Sequence, residues 1–200
     1  MITTRRDVIQ SGIGVAVVAA SSLRLQVGST IAATLRFHTV AYDGRFGEAR
    51  LFAARARQLG ADVYDIDGDI TGLWYGQLYP QWKRVPTPVA GITRFNSLLA
   101  LQLMAGVEGL RVIYRAHHIP ASGGAGHEMF GPRAALAAMP RLEGAAEQWA
   151  PAAADLVMRW RSDWTAIDRA HSTILDANAH GVPADTLISW ILAPVRPRMV

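Results

Sequence analysis

The chain of 200 residues contains no cysteine, and that absence closes off several chemistries. Disulfides, thiolate-bound iron-sulfur clusters, covalently attached c-type haem and cysteine nucleophiles all need the missing sulfur. Any metal would have to be held by histidine, aspartate or glutamate. Lysine is nearly as scarce, with Lys83 the only one, so the alkaline character of the chain comes from dispersed arginine and not from a concentrated basic face. Long hydrophobic runs are missing too. The apolar stretch from Ile13 to Leu23 is stopped by Arg24 and Gln26, well short of the roughly 20 residues needed to cross a bilayer core of about 30 Å. What the chain does have is apolar substance: 50% of its residues are hydrophobic. That is enough for one compact domain with a sizeable core, and neither low complexity nor disorder is indicated.

Adjacent arginines stand in front of the short apolar stretch, and small residues follow it, which is the three-part layout of an export leader. Within it, Thr4-Arg5-Arg6-Asp7-Val8-Ile9 resembles the twin-arginine export motif, with Val8 and Ile9 in its apolar positions. The resemblance covers about the first 30 residues. It implies the twin-arginine export machinery as a partner, a periplasmic destination, and passage through the membrane already folded. Such proteins commonly carry a cofactor inserted in the cytoplasm, or travel bound to a partner that does. Cleavage after Val18-Ala19-Ala20 and after Thr30-Ile31-Ala32 both fit, and if the leader is retained it is the only expected membrane contact. The simpler alternative is an N-terminal helix that happens to contain two arginines. With residues 1–32 taken as leader, Arg5, Arg6, Arg24 and Asp7 account for half of the formal +4 charge. The remaining charge of about +2 is too small for the electrostatic footprint of a nucleic-acid binder.

Residues 33–200 read as a single α/β domain. Leu35 to Tyr42 is rich in β-formers, and the helical spacing of Ala49, Phe52, Ala53, Ala56 and Leu59 follows, stopped by Gly60. Val63 to Ile66 predicts a second strand that enters an Asp67-Gly68-Asp69 turn. After an aromatic insertion and a Pro86 to Pro88 breaker, Phe95 to Ala105 is apolar all round, as a buried helix would be. Leu110 to Ala116 predicts a third strand. The order β-α-β, insertion, α-β implies a small parallel sheet in the region 33–120. From Gly131 the chain is rich in alanine, and Leu156, Trp160, Trp164, Ile167 and Ile174 recur at helical spacings. With a last helix over Ala184 to Leu192, this predicts a helical region, 131–193, packed on the sheet.

Ligands of a parallel sheet bind outside the carboxyl ends of its strands. Those ends carry Asp43, then Asp67 and Asp69, then His117 and His118. A glycine-rich segment beyond them, able to fold back over the same rim, leads to His127 and Glu128. Oxygen and imidazole ligands of this kind suit zinc, manganese or iron, although their spacing matches no strict motif such as HExxH. The plainer reading makes the aspartates turn and cap residues and the histidines solvated or bonded to backbone. The first strand-helix junction, with Gly44, Arg45 and Gly47, has the parts to hold an anion. It lacks both glycine fingerprints of nucleotide sites, and Ser97 and Ser122 lack the elbow of a serine hydrolase.

The aromatic insertion offers a different chemistry. Trp74, Tyr75, Tyr79 and Trp82 follow the acidic turn directly, and either wall a pocket, dock a partner, or simply cover the sheet. Two functions remain open. One is an exported periplasmic binding or accessory protein, a small subunit or partner of a larger cofactor-bearing oxidoreductase; no cofactor of its own is identified. The other is a periplasmic hydrolase whose bound metal activates water.

Overall fold

The computed structural model describes residues 34–162, 170–173, 183 and 185–194, all within the unit Ala32–Val200. Arg5, Arg6, Trp164, Ile167 and Ile174 lie outside the described residues. Strand β1 (Val40–Tyr42) runs into α1 (Gly47–Gln58), which buries Ala49, Phe52, Ala53 and Ala56 on one face as their spacing predicts. Gly60 takes the left-handed φ of 88° that ends the helix. Then come β2 (Val63–Asp65), α2 (Thr71–Leu73), a π-helical turn over Trp74–Leu78, and α3 (Tyr79–Trp82). The insertion is therefore a nearly continuous helical run. The π-helical turn immediately precedes α3, whose second residue is Pro80, so the backbone N–H that proline lacks falls where the run leaves its π-helical turn.

Strand β3 (Val89–Arg94), α4 (Phe95–Val107), β4 (Leu110–Ala121) and β5 (Gly124–Gly131) follow. The chain continues through α5 (Arg133–Leu136), α6 (Met139–Glu143), a 3-10 turn at Ala146–Gln148, α7 (Trp149–Met158), β6 (Ala170–Thr173) and β7 (Leu187–Pro194). Among the described residues the strands form one mixed, seven-stranded sheet in the order β2-β1-β3-β7-β4-β5-β6. The first three strands are parallel, and the pairings from β3 through β6 are antiparallel. Helices cover both faces. On one, Phe52 of α1 and Trp149, Ala153 and Val157 of α7 meet Ile92, Tyr114 and Ile191. On the other, Leu98 and Leu101 of α4 and Leu78 and Trp82 of the insertion meet Val89, Ile188 and Trp190.

The α/β class follows the sequence; three details differ from it. The third parallel strand is β3, which the proline breaker and Gly91 disguise. Gly91 is required by packing, because a side chain there would strike the Ala41 carbonyl and the Trp190 ring. The expected third strand is instead β4, paired antiparallel with β5 and β7. In place of the expected helix over Ala184 to Leu192 stands β7, a strand near the middle of the sheet. It is buried on both faces from Leu187 to Ala193, so it lacks the alternation that would have marked it as a strand. Within the helical region expected over 131–193, α7 ends at Met158, and Ala170–Thr173 is β-structure.

Candidate functional site

Strand β1 lies between β2 and β3, which brings its end next to that of β2, as convergence of the acidic loops requires. There, however, the positive charge is supplied by the chain itself. Asp43 is fully buried and accepts two bonds from Arg45, Nε to Oδ1 at 2.8 Å and Nη2 to Oδ2 at 2.7 Å. The guanidinium lies against Gly68 so closely that a β-carbon there would overlap it. Bonding to Asp43, with further attraction from Asp43 and Asp67, holds Arg45 even more firmly protonated than usual. Asp65 ties the two loops, accepting from the backbone N–H of Gly44 at 2.8 Å and of Asp67 at 3.0 Å. Asp69 accepts from the Thr71 N–H at 2.9 Å at the start of the insertion, and bonding to Thr71 lowers its pKa. These aspartates act as turn and cap residues.

His117 and His118 lie on the same edge of the sheet as Asp43, yet far along it. In the sheet order β3 and β7 stand between β1 and β4, and three strand spacings of about 4.8 Å put the histidines roughly 14 Å from Asp43. The seven candidate ligands therefore do not converge. Among the described residues no three histidine, aspartate or glutamate side chains gather as a metal set.

A second grouping takes the place of that rim. The loop Ser122-Gly123 turns β4 into β5, so His118 stands directly across from His127, and His117 across from Glu128. The members of each pair point to the same face, and the two pairs to opposite faces. On the α7 side, His118 Nδ1 lies 2.9 Å from His127 Nδ1, and its Nε2 lies 2.8 Å from Ser189 Oγ. Ser189 Oγ is in turn 3.2 Å from the Tyr114 hydroxyl. Trp149 stacks on His118, with ring centroids 4.3 Å apart and planes at 22°. Tyr114, His118, His127 and Ser189 are all buried.

The proton positions follow from which groups can only donate or only accept. The Leu142 backbone favours a protonated His127, as a hydrogen-bond acceptor does; with Nδ1 facing His118, the ring is assigned the tautomer that carries its proton on Nε2 and accepts at Nδ1. His118 then donates from Nδ1, its Nε2 accepts from Ser189, and Ser189 accepts from Tyr114. The result is one unbranched chain with a single direction, from Tyr114 to the Leu142 carbonyl. It requires both imidazoles to be neutral. Burial supplies this condition: it pushes His118 well below its ordinary value, helped by repulsion from His127 and His117. It also lowers His127 against the opposing Leu142 bond, and it drives the Tyr114 hydroxyl strongly upward.

On the opposite face, His117 has neither ring nitrogen hydrogen-bonded. The Glu128 carboxylate is 3.7 Å from its Nδ1. Burial and the nearby Arg115 outweigh Glu128 and lower the His117 pKa, so at neutral pH this contact is not an ion pair.

Sequence reasoning had His118 and His127 and missed Tyr114, Ser189 and Trp149. A two-residue Ser-Gly loop between β-rich segments is a hairpin signal, and it would have placed the two histidines opposite each other. Ser189 came from a segment read as helix. The Ser189, His118 and His127 geometry is that of a nucleophile, its base and an orienting group. Ser189 is wholly buried, though, and Trp149 closes over His118, so the chain is a polar core and not an open reaction centre.

The aromatic insertion divides by role. Trp82 is buried with its indole N–H on the Thr87 carbonyl at 3.0 Å. Trp74 packs against Tyr79 and Trp82 at centroid distances of 5.7 and 5.8 Å. Tyr75 and Tyr79 face outward, 69% and 42% exposed. Beside them is an open polar groove of about 520 Å³ lined by His38, Asp62, Gln77, Gln81 and Arg84 among others. Compared with known proteins, the chain matches no family model, no curated sequence and no solved structure.

Proposed function

We propose that this protein is an exported periplasmic binding or accessory protein, a small partner of a larger, cofactor-bearing oxidoreductase, which docks on the aromatic insertion. The observation that carries the reading is the exposure of Tyr75, on the π-helical turn, and of Tyr79, at the start of α3, where Tyr79 packs on Trp74 and Trp74 on Trp82. Single π-helical turns are rare and recur at functional positions. Tyrosines held by a rigid backing lose little entropy when a partner covers them, which suits binding hot spots. Lys83, paired with Glu108 at 3.0 Å, lies 5.4 Å from the Tyr79 ring centroid at the edge of the patch. The Arg5-Arg6 motif supplies the route to the periplasm and the reason for a folded, cofactor-loaded companion.

The metal-dependent hydrolase has less in its favour, since Arg45 stands at the acidic rim and the histidines belong to another part of the sheet. Native purification from the source organism is the test. The wild-type chain should bring down a larger chain with the visible absorbance or metal content of a redox cofactor. Tyr75→Ala with Tyr79→Ala should reduce that recovery about thirtyfold, the effect of losing about 2 kcal/mol at a hot spot. Recovery without any cofactor-bearing companion, or recovery that ignores both tyrosines, would contradict the proposal. Replacing Arg5 and Arg6 with lysine should leave the protein in the cytoplasm; unchanged periplasmic recovery would remove the export arm.

A further inference from the structure

We propose that the cavity between α6 and α7 binds a small amphipathic monocarboxylate, a saturated chain of about eight carbons ending in a carboxylate. The cavity has a volume of about 360 Å³, within the range of small-ligand pockets. Its α7 wall is Ala152, Asp155, Leu156 and Arg159, which recur at steps of three and four residues and so form one stripe along the helix. The other wall repeats the pattern with Ala138, just before α6, and Arg141 and Leu142 within it. Among the described residues the lining is therefore alanine and leucine, with two arginines and one aspartate as the charged groups.

Those charges do not cancel. Asp155 Oδ1 already accepts from Arg55 of α1, Nη2 at 2.9 Å and Nε at 3.1 Å, and Arg159 reaches the same oxygen only at 3.6 Å, with its side chain 72% exposed. The Arg141 guanidinium is exposed and has no acidic partner among the described residues. One carboxylate thus serves two arginines while a third has none, which leaves the site positive. This combination selects the ligand. An inorganic anion gains nothing from Ala138, Leu142, Ala152 and Leu156 and gives up hydration to lie against them. A neutral chain leaves Arg141 unused, and a cation meets the wrong sign. A carboxylate matches the planar fork of arginine, while its chain covers the apolar walls. At about 30 Å³ for a group the size of a water molecule, the cavity has room for roughly twelve, which suits a carboxylate of about eight carbons. The inference does not depend on the docking role given to Tyr75 and Tyr79.

Calorimetric titration of the full chain with octanoate tests it, with octanol and octylamine as controls for the head group. Octanoate should bind saturably, one per chain, and both controls at least about tenfold more weakly. Affinity should fall about fourfold for each methylene removed, through heptanoate to hexanoate, as apolar burial requires. Arg141→Gln should weaken octanoate binding at least about tenfold and Arg141→Lys by less, since lysine keeps the charge and loses the fork. Because Arg141 is exposed, neither change threatens the fold. Ala152→Phe should fill the cavity and abolish binding while circular dichroism stays the same. No saturable binding of octanoate, octanol binding as tightly as octanoate, an affinity indifferent to chain length, or binding that ignores Arg141→Gln would each overturn the inference.

Discussion

The two halves of the sheet satisfy their polar side chains in opposite ways. In the parallel half most of the bonds are local: Asp43 holds Arg45, Asp65 holds Asp67, and Asp69 holds Thr71, each two residues away, and of these only Asp65 also reaches a second loop, at Gly44. In the antiparallel half, His118 reaches His127 across a hairpin and Ser189 at a separation of 71 residues, and Tyr114 meets Ser189 at 75. The exposed bonds of Asp65 and Asp69 exchange readily with water and contribute little to stability, whereas the buried Asp43 depends on Arg45. A closed chain in the core has no water to fall back on, so the loss of any member leaves its neighbours unpaired. Polar side chains therefore carry different weight in the two halves.

The comparison would be broken most directly at His118. His118→Ala should cost about 3 to 5 kcal/mol of unfolding free energy, because it leaves Ser189 and His127 without partners and opens a gap beneath Trp149. Urea denaturation reads this loss, and a cost below about 1 kcal/mol would mean the chain is no more demanding than a surface turn.

Acid should act next, and mainly on the antiparallel half. His117, His118 and His127 all have folded values below their ordinary 6.5. As pH falls through 6.5, the unfolded chain takes up protons that the folded chain refuses. The stability these groups contribute is thus complete above about pH 6.5 and is lost as pH falls below it, at a limiting slope of about 1.4 kcal/mol per pH unit for each histidine. Denaturation midpoints between pH 7 and pH 5 should fall accordingly, with a shallower fall in His118→Gln. A flat profile would show that the histidines are already charged, or exposed, in the folded protein.

The smallest effect belongs to the parallel half. Asp69→Ala removes one exposed bond at the start of the insertion and should shift the urea midpoint least of the three changes. A loss as large as that of His118→Ala would erase the distinction between the halves.

The same contrast explains what the sequence made legible. Gly60, the spacing of Ala49, Phe52 and Ala56, and the Asp67-Gly68 turn are local signals, and β1, α1 and β2 follow them. The alternative role of the aspartates as turn and cap residues was visible for the same reason. Strand β7 was not legible, because burial on both faces erases the alternation of a strand and leaves an apolar run that equally fits a buried helix. Strand β3 was hidden by Gly91, whose meaning lies in the Trp190 ring that fills its place. Once β7 is taken as helix, Ser189 cannot be placed beside His118. The supposed metal rim failed through strand order, since β3 and β7 enter between the aspartates and the histidines.

The central claim is that the antiparallel half is held by a neutral hydrogen-bond chain with one direction, and the nitrogen resonances of its two histidines test this most directly. At pH 7, heteronuclear magnetic resonance of nitrogen-15-labelled protein should show His118 as the tautomer protonated at Nδ1 and His127 as the tautomer protonated at Nε2. Both should stay neutral as the pH is lowered through 6.5 for as long as the fold persists. Either ring found doubly protonated in the folded protein at pH 7, or His118 found with its proton on Nε2, would contradict the account.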